Sequence, residues 1–122
     1  MRSLILSTLL LSLIGMPVQA QVYPVDGKWG ESSSSQKGRI DCTDNKRVIE
    51  FNGDQRTDSN SGVPSYRNQS VRSEGSSNYR VVDEFSTGQI SAGRTSYGLR
   101  KIDADHIEVN QDGTTTKLQR CR

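Results

Sequence analysis

One histidine and two cysteines are all that the chain offers toward the usual nitrogen and sulfur ligands of a transition metal. If the cysteines pair with each other, the remaining imidazole cannot build a zinc site of the common kind. A Gly-x-Ser-x-Gly elbow is missing, which removes the usual sequence signal of an α/β-hydrolase nucleophile. A basic excess is missing too: 16 Lys and Arg stand against 14 Asp and Glu, a formal net charge of +2. Nucleic-acid binders carry a basic stripe or patch, so DNA and RNA are not the expected partners. No apolar run reaches the roughly 20 residues that cross a bilayer as a helix. From residue 21 onward helical periodicity is also absent, and Val, Ile, Leu and Phe are scarce, which leaves material for only a thin core.

What is there begins with residues 1–20, which differ in kind from the rest. Arg2 is followed by an apolar stretch from Leu4 to Met16, interrupted only by Ser7, Thr8, Ser12 and Gly15. Pro17 ends it, and Val18-Gln19-Ala20 sets small residues before a cut. A positive charge, an apolar stretch and then small residues is the order of a secretory signal peptide. The expectation is export to a periplasmic or extracellular location, with a single domain over residues 21–122 and no stable membrane span after cleavage. Gln21, rather than a cysteine, follows the expected cut, which argues against a bacterial-type lipid anchor there.

Cys42 and Cys121 are then an even pair in an oxidising compartment, where a bridge is the default. By chain entropy, closing a loop of about 80 residues stabilises the fold by on the order of 4.5 kcal/mol. That is comparable with the whole stability of a small domain.

Apolar residues recur at spacing two, and Gly, Asn, Asp and Ser interrupt them every few residues, the rhythm of an all-β sandwich or barrel. Val25, Gly27 and Trp29 share one parity, and Ile40 and Cys42 share a face of the next expected strand. Ile49 with Phe51, Tyr79 with Val81 and Phe85, and Ile107 with Val109 mark further inward faces. Asn52-Gly53 and Asp112-Gly113 are hairpin signals, since tight hairpin turns favour residues that tolerate positive φ. Residues 58–65 lack periodicity and read as the longest mobile loop. Between Gln89 and Lys101, Ile90 and Ala92 differ in parity from Tyr97 and Leu99, so a bulge is expected at Gly93. The expected fold is a small antiparallel meander β-barrel of about eight strands with one disulfide, or else a two-sheet β-sandwich.

Candidate sites are few. His106 lies beside Asp103 and Asp105, and it would serve a hydrolase only with a serine brought from elsewhere. Asp58-x-Asn60 with Gly62 does not keep the spacing of a calcium loop. Arg67, Arg72, Arg80, Arg94 and Arg100 fall on strands that, as neighbours, would align some of them as an anion-binding strip, but acidic residues are interleaved with them, as on a mixed solvated face. Asn68-Gln69-Ser70 matches a glycosylation acceptor.

Gly27-Lys28-Trp29 resembles the Gly-x-Trp opening of lipocalin and wider calycin barrels, and that resemblance implies that Arg120 packs over Trp29. The chain also resembles small exported bacterial inhibitors of C-type lysozyme in size, compartment and cysteine placement. Their inhibitory loop carries Ser-Gly-x-x-Tyr. Here the same residue types are spread over Ser91-Ala92-Gly93-Arg94-Thr95-Ser96-Tyr97. The residues singled out for binding are Ser91, Arg94, Tyr97 and Trp29. No catalytic residue, metal or cofactor is expected. The function expected is binding rather than catalysis, with an envelope or extracellular protein or a small ligand as partner. The named alternatives are inhibition of a secreted hydrolase, such as lysozyme or a protease, and lipocalin-like carriage of a small ligand.

Intact mass of the exported protein should correspond to residues 21–122 less two hydrogens. Alkylation should add nothing until a reductant is supplied; two alkyl groups without reduction would remove the bridge.

Overall fold

The structure is a computed structural model that describes residues 22–122, so the expected signal peptide at 1–20 and the cut before Gln21 lie outside the described residues. Two-residue alternation makes short strands, and among the described residues there are eight: β1 Gly27–Glu31, β2 Val48–Asn52, β3 Gln55–Asp58, β4 Tyr66–Ser73, β5 Asn78–Phe85, β6 Gly93–Lys101, β7 His106–Gln111 and β8 Thr114–Arg120. They form a closed antiparallel barrel in chain order, with β8 paired back to β1. None of the described residues forms a helix long and apolar enough to cross a membrane. The meander barrel is the fold expected from the sequence, and closure leaves it no exposed sheet edge.

Turn chemistry sets the register. Gln111 pairs with Thr114, leaving Asp112 and Gly113 as a two-residue turn with φ of 53° and 79°. Both values are positive, as a type I′ hairpin requires. The β2–β3 turn is one residue later than the Asn52-Gly53 signal: Asn52 pairs with Gln55, so Gly53 and Asp54 are central. Inward positions supply a core of Trp29, Ile49, Phe51, Val81, Tyr97, Leu99, Ile107, Val109 and Leu118, with Tyr23 from the N-terminal segment laid over Phe51 at 5.0 Å between ring centroids.

The barrel closes where β8 meets β1 through three residue pairs, Trp29–Arg120, Gly30–Gln119 and Glu31–Leu118. Two devices reinforce this short seam. Inside, the Arg120 guanidinium lies 4.4 Å from the Trp29 ring centroid, the placement that the Gly-x-Trp resemblance implies. Trp29 Nε1 and Arg120 Nη1 both donate to the Asp26 carbonyl, at 2.9 and 3.1 Å. Outside, residues 32–47 run over the seam as a strap. The Cys42–Cys121 disulfide pins the strap, and Gln119 donates to the Gln36 and Gly38 carbonyls at 3.0 and 2.8 Å.

Three local expectations are corrected. Ile40 and Cys42 are not on a barrel strand; Ile40 makes only an isolated bridge to Cys121, because the disulfide draws this segment outside the sheet. Gly93 is not a bulge. It opens β6, since residues 89–92 leave the sheet, and its missing side chain makes room for Phe85, whose Cζ would lie 2.7 Å from an added Cβ. The register shift is instead in β4, between Asn68 and Ser70. Finally, the longest irregular segment among the described residues is the strap 32–47, not 58–65, where Asp58 itself still belongs to β3.

Gly30 is where the strap touches the barrel. A Cβ there would meet Asn45 Nδ2 at 2.5 Å and Cys42 Sγ at 2.7 Å, and the bridged sulfur is not free to swing away. Gly30→Ala should therefore lower stability by about 1–3 kcal/mol, read as a lower urea midpoint at unchanged slope. An unchanged midpoint would mean that the strap does not press on this seam.

Candidate functional site

On β3 the two-residue alternation carries Arg56 and Asp58 inward, and on β4 and β5 it carries Asn68 and Asp83 inward. All four are buried. Arg56 Nε donates to Asp83 Oδ2 at 2.7 Å, Tyr97 Oη donates to the same oxygen at 3.0 Å, and Asn68 Nδ2 donates to Asp83 Oδ1 at 3.2 Å. Arg56 Nη1 also lies 3.7 Å from Asp58 Oδ2, and Arg47 clamps Asp58 through Nε and Nη2 at 3.2 and 2.8 Å. Charges thus alternate along Arg47, Asp58, Arg56 and Asp83, which is how a protein interior tolerates them. The guanidinium of Arg56 also sits 3.9 Å from the Tyr66 ring centroid and 4.9 Å from that of Tyr97.

This cluster occupies the interior of the barrel on the side of β3, β4 and β5. Burial, aided by the negative charge of Asp83, pushes the phenol of Tyr23 far above its usual range. Burial is also the main force raising Tyr97, although Arg56 opposes it. The Tyr23 hydroxyl is enclosed with no hydrogen-bond partner.

The four residues chosen for binding do not form one site. Trp29 and Tyr97 are core residues, while Ser91 and Arg94 are exposed. Asn68 is only 1% exposed, so the glycosylation pattern falls on a side chain inside the barrel. Asp58, the first residue of the calcium-like segment, is held by two arginines. No cluster of metal-ligating side chains occurs among the described residues. The supposed arginine strip is a mixed face: Arg67, Arg72, Arg80 and Arg100 lie within 4.0 Å of Asp54, Glu74, Glu74 and Glu108 respectively.

His106 has acquired an acid partner. Its Nδ1 is 2.8 Å from Asp103 Oδ1, and this hydrogen bond holds the Asp103 carboxyl below its ordinary range. Ser32, Ser33, Ser34 and Ser35 line the same small pocket, about 180 Å³ in volume. The buried Nε2 nevertheless has no hydrogen-bond partner, so no serine hydroxyl is in position to pass it a proton.

With the interior filled, the accessible features are on the rim and the outer wall. Connections β3–β4, β5–β6 and β7–β8 share one end of the barrel by the antiparallel order. There, loop 86–92 braces itself: Thr87 N donates to the Ile90 carbonyl at 2.8 Å, while Gln89 N and Ile90 N donate to Thr87 Oγ1 at 3.2 and 3.0 Å. The brace presents Ile90 at 48% exposure. Loop 59–65 is braced likewise by Ser61 Oγ, which donates to the Asp58 carbonyl at 2.9 Å and accepts from Val63 N at 3.1 Å. A cleft of about 360 Å³ adjoins both loops, lined by Pro64, Ser65, Arg67, Glu84, Phe85 and Ser86. Sequence reasoning missed Ile90 as a surface residue because an isoleucine near a strand pattern reads as core.

Comparison with known protein families, with curated proteins and with solved structures found no match to this chain.

The raised phenols carry a consequence for alkaline stability. An unfolded tyrosine ionises near pH 10, whereas Tyr23 and Tyr97 hold their protons in the folded state. Their contribution is therefore intact below pH 10 and is lost as pH rises above it, because the unfolded chain then binds fewer protons. In an ultraviolet titration compared with Tyr23→Phe and Tyr97→Phe variants, Tyr23 and Tyr97 should ionise only together with loss of the β signal. Free ionisation of Tyr23 and Tyr97 in the folded protein would show that the interior is open to solvent.

Proposed function

We propose that this chain is an exported binding module that engages a protein partner through the rim formed by loops 59–65 and 86–92. The carrying observation is the self-braced loop that holds Ile90 half-exposed beside Ser91 and Arg94. A loop already fixed in shape loses little entropy on docking, and an apolar side chain ringed by polar ones is the usual composition of a contact centre. Export is supported by the signal-like order of residues 1–20 together with the Cys42–Cys121 bridge. A periplasmic location would follow if the source has an outer membrane. Binding is favoured over carriage because Arg56, Asp83 and Tyr97 fill the barrel. It is favoured over hydrolysis because His106 lacks a hydrogen-bonded nucleophile. Arg120 over Trp29 agrees with a calycin-like wall, although here it surrounds a filled interior.

A second reading has the same rim enter the cleft of a secreted hydrolase, as an inhibitor. The firm shape of loop 86–92 favours it, with Ser91 and Arg94 as contacts; Tyr97 is buried behind them.

Immobilised protein should retain a partner from an envelope or culture-fluid extract. Ile90→Asp and Arg94→Glu should each weaken retention about tenfold or more, equivalent to about 1.4 kcal/mol, with thermal unfolding unchanged. In parallel, residual activity of a C-type lysozyme and of a secreted protease reads the inhibitor form. Full retention by both variants would reject the rim, and turnover abolished by His106→Ala would reject the non-enzymatic reading.

A further inference from the structure

The outer wall of β5–β8 carries its side chains in register. One row runs Asn78, Arg100, Glu108 and Lys117, and the next runs Arg80, Gly98, Asn110 and Thr115. Gly98 leaves a gap in the middle of the second row. Nothing in the fold requires that gap, because an added Cβ would meet only ordinary contacts, Asn110 Cβ and O at 3.8 Å, and Gly98 is not in the left-handed region. A glycine inside a strand weakens it and often marks a place where a ligand comes close to the backbone. Gly98 here is part of a trough of about 880 Å³.

The chemistry of the trough narrows what fits. Glu74 holds Arg80 at 3.2 Å, and Glu108 lies 3.9 Å from Arg100, so planar donors and acceptors flank Gly98. Asn78, Ser96, Asn110 and Thr115 add amides and hydroxyls. The two arginines are balanced by Glu74, Glu108 and Asp112, so a highly charged polymer gains little there. None of the exposed large apolar residues, Val22, Ile90 and Ile102, lines the trough, so it lacks the apolar surface on which a lipid would seat. Backbone groups on its floor are already used in the β5–β6–β7 ladders, so an added strand has nothing to pair with. A neutral, hydroxyl-rich chain matches what remains, since its hydroxyls both donate to carboxylates and accept from guanidinium and amide groups. Four strands at about 4.8 Å spacing give it roughly 14 Å of width.

We propose that the Gly98 trough is a binding site for a neutral oligosaccharide, separate from the protein-binding rim. Gly98 admits the sugar ring, Arg80 and Arg100 donate to its oxygens, and Glu108 and Asn110 accept from its hydroxyls.

The test is amide chemical-shift mapping of the oxidised protein with chitotetraose, cellotetraose and maltotetraose as probes at millimolar concentration. At least one should shift Ser96, Gly98, Asn110 and Thr115 while leaving Ile90 unmoved. Gly98→Trp should weaken that binding at least tenfold without lowering Tm, and Gly98→Thr, which suits a strand, should weaken it in the same direction. Ile90→Asp should leave it unchanged, which separates this site from the rim. The proposal is overturned if no probe shifts these amides, if both Gly98 variants bind as well as the parent, or if a neutral Gly-Ser decapeptide or a heparin fragment produces the footprint and the oligosaccharides do not.

Discussion

Arg56 and Asp83 meet inside the barrel at 2.7 Å, across the place where the sheet is most weakly joined. β3 and β4 share only two residue pairs, Gln55–Arg67 and Arg56–Tyr66. A closed barrel is no firmer than its thinnest seam. Here the seam is bridged from within: the guanidinium leaves β3, lies over the Tyr66 ring of β4 and reaches the carboxylate of β5. Removing Arg56 leaves Asp83 without a cation, and removing Asp83 leaves two cations sharing Asp58; a buried uncompensated charge costs far more than the pair returns. The rest of the cluster donates to the two carboxylates, with Tyr97 and Asn68 on Asp83, and Arg47 on Asp58.

The other short seam, β1 with β8, is held by different means. Arg120 covers Trp29 on the inside, while the strap, Gln119 and the Cys42–Cys121 bridge cover the outside. Both arrangements answer the same shortage. With few large apolar residues, the chain cannot hold a barrel by hydrophobic burial alone, so arginine stacking, an internal charge chain and a covalent clasp stand in for part of it. The functional consequence is direct. An interior spent on holding the wall together favours the proposal that recognition falls to the rim loops and to the outward face around Gly98.

Much of this architecture was legible in the sequence, for reasons that can be traced. Alternation in Ile49–Phe51 and Ile107–Val109 is governed by the pleat, and the pleat is local. Asp112-Gly113 encodes its turn through φ alone, and two cysteines admit one pairing. Arg56, Asp58, Asn68 and Asp83 escaped because polar residues on an alternating strand read as the solvent face, and only the three-dimensional meeting of β3, β4 and β5 shows that they pair with one another. Residues 32–47 escaped because a strap is defined by what it lies upon. The site was the least legible part: Tyr97 and Trp29 carry the residue types of a contact surface but belong to the core, and Ile90 carries the residue type of a core but stands outside it.

The account stands most directly on a double-mutant cycle at Arg56 and Asp83, followed by urea unfolding of the oxidised protein. Arg56→Met and Asp83→Leu should each cost about 3–5 kcal/mol, and the double variant should cost much less than their sum, because no charge is then left unpaired. Two small, additive losses would contradict it, since they would place both charges in water and leave the barrel interior open.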